Sequence, residues 1–208
     1  MSSNKSSRII ILAIFLIFNA CNKKVEPTEE EKFIERVSIP ANALEFINSK
    51  VKESEDFATI GNFLNKESLQ IASIREIFSK KEWGIKFSLF NFTKDTVIFI
   101  SSSKTLDGSV KESEVTKVSI DSSGIEMLFY NSADYFLGSG GGEVFAYLVD
   151  YKSDKIHYAH LVLIRNKSAQ LFISPSTEDY PEVKNFFESF FRKDYEDLKI
   201  SEKDIQLQ

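Results

Sequence analysis

The sequence predicts an α+β domain in which amphipathic helices come first, an antiparallel sheet follows, and a last helix packs on that sheet. Two changes in hydrophobic periodicity lead to this prediction. Apolar residues recur at helical spacing up to about Phe78, alternate with polar residues from Trp83 to about residue 174, and return to helical spacing after Pro181. We therefore expect one sheet of about seven strands, which either stays open or curls into an open barrel.

Four short amphipathic helices are predicted ahead of the sheet. Thr28 and Glu31 have the spacing of a capping box, which places the start of the first helix at residue 28. Pro40 suits the first turn of a second helix. Apolar residues at i, i+3, i+4 and i+7 predict a third helix over residues 57–64, and Asn65 can cap a fourth.

Seven strands with short connections are predicted next. Most combine β-branched or aromatic residues with alternating polarity, and turn residues separate them. They cover residues 83–90, 97–100, 114–120, 125–130, 144–151, 155–165 and 168–174. Because no helix intervenes and a parallel pair needs a long crossover, we expect antiparallel pairing.

The C-terminal helix is predicted from a run rich in phenylalanine that follows Pro181. Its apolar residues have i, i+3, i+4 spacing and would share one face. They are Val183, Phe186, Phe187, Phe190 and Phe191. We expect this face to belong to the core rather than to a partner-binding surface.

The first 21 residues decide where we expect the protein to reside. Lys5 and Arg8 accompany an unbroken apolar run at residues 9–18. A bilayer-spanning helix needs roughly 20 apolar residues, so this run has instead the length of a signal-peptide core. Phe18-Asn19-Ala20-Cys21 follows, and Cys21 is the only cysteine. This segment resembles a relaxed form of the lipobox of bacterial lipoproteins, in which a small residue precedes a cysteine that is lipidated and becomes the new N-terminus.

The resemblance implies a division of the chain into four parts. These are a lipoprotein signal peptide at 1–20, a lipid-anchored tether at 21–29, a single globular domain at 30–194 and a charged C-terminal tail at 195–208. Attachment to the membrane would occur through lipid, including palmitate, on Cys21. Asn22 rather than Asp follows the cysteine, and the sorting rule of enteric lipoproteins then implies the outer membrane if the organism has one.

The charge of the chain argues against nucleic acid as a partner. The chain has 26 Lys and Arg against 31 Asp and Glu, a formal net charge of −5, and no basic run exceeds two residues. Nucleic-acid binding depends on neutralising phosphates, so we expect no nucleic-acid partner. Lipid on Cys21 would have to supply membrane attachment. An envelope protein or a small apolar ligand remains as a possible partner.

The two histidines do not predict a metal site or any cofactor. His157 and His160 lie three apart on a predicted strand, so their side chains point to opposite faces. His160 is a weak candidate for a general base, acting with a carboxylate such as Glu143. No other catalytic residue is predicted.

A glycine-rich segment is the best candidate for a ligand or partner loop. Phosphate loops lead into a helix N-terminus, whereas here a glutamate and a strand follow, so nucleotide binding is not predicted. The composition by itself favours a structural interpretation, a hairpin loop that uses glycine for its backbone conformation, over a mobile rim above a pocket. The candidate contact residues in this loop are Asp134, Tyr135, Gly140, Gly141 and Glu143.

Three functions are therefore compatible with the sequence. The favoured one is a lipid-anchored envelope protein with a non-catalytic binding or interaction domain. The first alternative is a periplasmic or surface hydrolase that uses His160 with a carboxylate. The second is a carrier of lipid or a small apolar ligand, suggested by 19 phenylalanines and a sheet that could enclose a cavity.

Overall fold

A computed structural model describes residues 39–111, 113–136, 141–164 and 168–204, which belong to one compact unit, Ile39–Gln208. The signal peptide, Cys21, the tether and the helix predicted after Thr28 lie outside the described residues. Gly140 also lies outside them, and the side chain of Tyr135 is not described.

The described chain is mostly β, with ten strands in two sheets. The first sheet has the order β1-β2-β3-β4 and is antiparallel. Its strands are β1 (Phe57–Gly61), β2 (Gln70–Phe78), β3 (Trp83–Phe92) and β4 (Val97–Ser102). The second sheet has the order β10-β9-β8-β7-β6-β5. Its strands are β5 (Ser113–Val118), β6 (Met127–Phe136), β7 (Gly141–Asp150), β8 (Lys155–Ile164), β9 (Ser168–Ile173) and β10 (Lys199–Asp204).

The predicted fold class is therefore wrong. Two segments expected to be helices form β1 and β2, and the strands divide into two sheets with free edges instead of forming one seven-stranded sheet or a barrel. The misleading signal in β2 has a physical cause. Ile71 and Ile74 have helical spacing, but as strand residues they face opposite sides of the sheet, and both are fully buried because both sides are covered.

Between Ile39 and the first strand, the structure has one short helix. Helix α1 (Ala43–Asn48) begins after Asn42, whose side-chain oxygen accepts a hydrogen bond from Glu45 N at 3.1 Å. Phe46 packs edge-on against Phe92 of β3 with ring centroids 6.1 Å apart. This contact places α1 against the outer face of the first sheet.

The two sheets pack face to face around a shared apolar core. Phe87 of the first sheet lies edge-on against Tyr130 and Tyr147 of the second, at centroid distances of 5.8 and 5.9 Å. The buried members of this core are Phe63, Ala72, Ile74, Ile85, Phe87, Leu89, Leu128, Tyr130, Tyr147 and Val149.

The other face of the six-stranded sheet is covered by helix α2 (Pro181–Asp194), which follows a short 3₁₀ helix, Pro175–Thr177. Val183, Phe187 and Phe191 of α2 are fully buried there. Within the ranges described, no helix combines the length and the apolar character that crossing a bilayer requires.

A last strand lies in the segment predicted to be a charged tail. Strand β10 pairs with β9 in parallel, with Lys199 opposite Ser168 and Asp204 opposite Ile173. The return of the chain through α2 to the edge of the sheet allows this parallel pairing.

We expect Phe187→Ala to lower the free energy of unfolding by about 3–5 kcal/mol, because a fully buried aromatic side chain is removed from the core under α2. For a chain of this size the melting temperature should fall by roughly 10 °C, measured by circular dichroism. Phe78→Ala is the matched control, since Phe78 is 87% exposed and its truncation should leave the melting curve unchanged. Equal melting temperatures for the two variants would contradict the position of α2.

Candidate functional site

A groove of about 360 Å³ opens at one end of the sandwich, beside the start of β3 and the ends of β6 and β7. Its volume falls at the lower end of the range for small-molecule sites, roughly 300–1,000 Å³. The lining residues combine aromatic rings with charged and hydroxyl groups. They are Trp83, Asp107, Gly108, Ser109, Lys111, Ser132, Ala133, Asp134 and Phe145.

One wall of the groove is the segment that leads from β4 to β5. It is fixed to β3 by an isolated bridge in which Ile85 and Leu106 exchange two backbone hydrogen bonds, at 2.8 and 2.9 Å. Gly84 makes this close approach possible. Its φ is +136°, and a Cβ at this position would lie 2.1 Å from the carbonyl oxygen of Leu106. Only glycine fits there without a backbone shift.

Tyr130 holds the same wall from the second sheet. Its hydroxyl donates to the carbonyl oxygen of Ser109 at 2.8 Å and accepts from Ser109 N at 3.0 Å. Ser109 Oγ in turn donates to Glu76 of β2 at 3.1 Å. Burial raises the pKa of Tyr130, so the phenol keeps the proton that this contact requires. Both sheets therefore position the wall.

Asp107 of this wall lies close enough to two tyrosines for its charge to act on both. Burial raises the pKa values of Tyr147 and Tyr158, and the nearby charge of Asp107 raises both further. The two rings stack at 5.7 Å on neighbouring strands. Two protonated phenols therefore lie near Asp107, which lines the groove.

Phe145 connects the groove to a histidine–carboxylate pair. His160 stacks on Phe145 with ring centroids 4.5 Å apart and planes 9° apart. His160 Nε2 lies 3.3 Å from Glu143 Oε2, although no hydrogen bond with acceptable geometry forms. Burial lowers the pKa of His160 more than Glu143 raises it. The imidazole is therefore neutral near pH 7, with one nitrogen available to accept a proton.

His157 lies on the opposite face of β8, which confirms the prediction that the two histidines are separated by the sheet. It is fully buried, its ring lies 5.1 Å from that of Tyr180, and its Nδ1 lies 3.3 Å from Ser176 Oγ. Burial lowers its pKa. Among the described residues, no group of three or more His, Cys, Asp or Glu side chains is arranged to hold a metal ion.

The predicted glycine-rich loop is shorter than its composition indicates. Asp134 pairs directly with Glu143 across β6 and β7, and Gly141 belongs to β7. Asp134 lines the groove, whereas Glu143 contacts His160. Two sequence-predicted residues, His160 and Glu143, are thus brought together on the sheet.

Sequence reasoning missed Trp83, Asp107 and Phe145 as site residues. In the sequence, Trp83 is explained as the start of a strand, Asp107 as a turn residue and Phe145 as a core aromatic. Their convergence depends on contacts between the two sheets, across more than 20 positions of sequence. The Asp107-Gly108 turn was the only local signal that could have indicated a functional loop.

A second depression of about 720 Å³ runs between α2 and the edge formed by β5 and β6. Its floor consists of Phe129, Phe186 and Phe190, with Lys193 and Asp194 at its border. None of the sequence-predicted site residues lines it. The groove at the sandwich end, in contrast, is lined by Asp134, which the sequence singled out, and we therefore take it as the candidate site.

The lowered pKa of each histidine predicts acid sensitivity. Below about pH 6.5 the unfolded chain binds a proton before the folded one, so stability falls as pH decreases towards the folded-state pKa. We expect His157→Gln to remove part of this loss, up to about 2 kcal/mol between pH 7 and pH 5. Urea unfolding at both pH values measures it.

The change of stability with pH has to be compared between wild type and the variant, because Glu55 alters stability in the opposite direction. Burial raises the pKa of Glu55, so its protonation in the folded state adds stability as pH falls. This contribution is the same in both proteins. Identical pH slopes for wild type and His157→Gln would show that His157 has an ordinary pKa.

Comparison with known proteins gives no assignment for this site. No family model, curated protein or solved structure matches this chain.

Proposed function

We propose that this protein is a binding domain held at a bacterial envelope membrane by lipid on Cys21, and that the groove binds a small polar ligand. The observation that supports this proposal is the convergence of two aromatic and two acidic side chains, Trp83, Phe145, Asp107 and Asp134, on one groove of about 360 Å³. Such a mixture of apolar surface and a few placed polar groups is typical of ligand sites.

The lining chemistry defines the ligand class. Aromatic rings bind the flat, weakly polar faces of other rings, and carboxylates accept hydrogen bonds from hydroxyl or amino groups. Ser132 also lines this surface, whereas the backbone and hydroxyl groups of Ser109 are already paired with Tyr130 and Glu76. A hydroxylated ring, as in a sugar, satisfies both features, so we propose a saccharide ligand.

The carrier alternative has weaker support. Among the described residues, the fully buried phenylalanines lie in the two cores and not around an empty space. They are Phe63, Phe87, Phe187 and Phe191. A purely apolar ligand would also have to cover Asp107 and Lys111 without pairing them, which is unfavourable.

Hydrolysis is the second candidate, supported by the 3.3 Å contact between His160 and Glu143. A neutral imidazole close to a carboxylate can act as a general base. Among the described residues, however, His160 contacts Glu143 and the rings of Phe145, Tyr158 and Phe172. A water molecule would have to be the nucleophile.

The lipid attachment is tested by Cys21→Ser. We expect the wild type to be labelled by a palmitate probe and to enter the detergent phase in phase partitioning, and we expect the variant to do neither. The outer-membrane location is tested by separating the two membranes on a density gradient. Labelling of the Cys21→Ser protein would contradict the lipoprotein proposal.

The groove is tested through Trp83, the only tryptophan of the chain. Titration with a panel of neutral oligosaccharides should change its fluorescence, and Asp107→Asn should weaken binding about ten-fold, because a neutral acceptor replaces a charged one. Asp95→Asn is the matched control, since Asp95 is exposed in the β3–β4 turn.

Two other outcomes separate the alternatives. Cleavage of an oligosaccharide, detected by mass spectrometry and abolished in His160→Gln, would establish the hydrolase instead. No fluorescence change and no cleavage with any member of the panel would overturn the saccharide assignment.

A further inference from the structure

We infer that the tip of the β2–β3 hairpin, residues Phe78–Trp83, inserts into the interface of a membrane that contains anionic lipids. The proposal concerns a second attachment to the membrane, independent of lipid on Cys21. It is based on the exposed aromatic pair, the charge and the rigidity of this tip, which the following paragraphs take in turn.

The tip exposes two aromatic side chains. Phe78 and Trp83 lie directly opposite each other across β2 and β3. Phe78 is 87% exposed, the highest value among the large apolar side chains that the structure describes, and Trp83 is 55% exposed. An indole ring has an apolar body and a polar N–H, and tryptophan is accordingly enriched where membranes meet water.

The apex between these aromatics is positively charged although the chain as a whole is acidic. Lys80 and Lys81 are both exposed at the turn. Glu82 is the acidic residue of the tip, and its side chain contacts residues outside the turn. It pairs with Lys86 at 3.5 Å and accepts a hydrogen bond from Thr105. The Thr105 hydrogen bond lowers the pKa of Glu82. The apex therefore presents two cations to anionic headgroups.

The turn is held in one conformation before any membrane contact. Ser79 N donates to Glu82 O at 2.9 Å, and Ser79 Oγ donates to the same oxygen at 3.1 Å. The hydroxyl also accepts from Glu82 N at 3.0 Å. Because these bonds already order the loop, insertion loses little conformational entropy.

The position of the tip is compatible with a membrane-anchored chain. The 17 residues between Cys21 and Ile39 can reach at most about 60 Å. A ten-residue strand such as β3 is only about 33 Å long, so the anchor can reach a membrane at either end of the sandwich. Trp83 also lines the groove, so insertion would bring the groove next to the membrane surface.

The test uses the fluorescence of Trp83 in the full chain, reconstituted into vesicles of phosphatidylcholine with or without phosphatidylglycerol. Lipids with a spin label near the headgroup act as quenchers. We expect a blue shift and strong quenching in the anionic vesicles and weaker effects in phosphatidylcholine alone. Because Trp83 is the only tryptophan, the signal reports the tip itself and not the way in which the chain is anchored.

Variants at the tip identify the groups responsible. The pair Lys80→Gln and Lys81→Gln should lower the ratio of inserted to free tip about thirty-fold, since each lysine contributes about five-fold near an anionic surface. Phe78→Ser should also reduce quenching. The matched controls are Lys94→Gln and Phe99→Ser, which alter exposed residues of the β3–β4 hairpin and should change nothing.

Two outcomes would overturn the proposal. Trp83 could emit as in water and escape quenching in all vesicles, or the tip variants could be quenched as strongly as wild type. Cys21→Ser added to anionic vesicles should still show a blue shift and quenching that depend on Lys80 and Lys81, at a lower level than the lipidated protein because its tip is not tethered. Failure of the hairpin proposal is therefore distinguishable from failure of the lipid-anchor proposal.

Discussion

The six-stranded sheet has two apolar faces, and the fold depends on covering both. Along β7, Val144, Ala146 and Leu148 face helix α2, whereas Tyr147 and Val149 face the first sheet. A strand with both faces apolar would lose its stability if either side met water. The four-stranded sheet on one side and α2 on the other satisfy this constraint.

The same constraint explains where the groove lies. Along the inner face of β6, Tyr130 is fully buried and Asp134 is exposed. The first sheet therefore stops covering β6 between these two residues. The segment around Ser109, fixed by Tyr130, closes part of this end. The remaining opening has sheet aromatics on one side and the charged groups of the segment on the other.

The groove and the hairpin tip share Trp83, which connects the two proposals physically. A tip at the membrane surface would bring the groove close to the headgroup region, where a ligand linked to the membrane would be concentrated. The neutral His160 stacks on Phe145, one of the residues that line the groove, and Glu143 lies beside His160. Any chemistry of this pair would therefore occur beside a ligand held in the groove.

The sequence by itself determined the local periodicities. Runs of β-branched and aromatic residues between turns located the segments of β3 to β9, and the phenylalanine spacing located α2. The same reasoning separated His157 from His160. It failed at β1 and at β2, where Ile71 and Ile74 have helical spacing but are buried on opposite faces of the strand. Only the tertiary structure decided that the strands form two sheets, that β10 joins one of them, and that Trp83, Asp107 and Phe145 meet. Such pairings depend on contacts between distant segments, which no local pattern encodes.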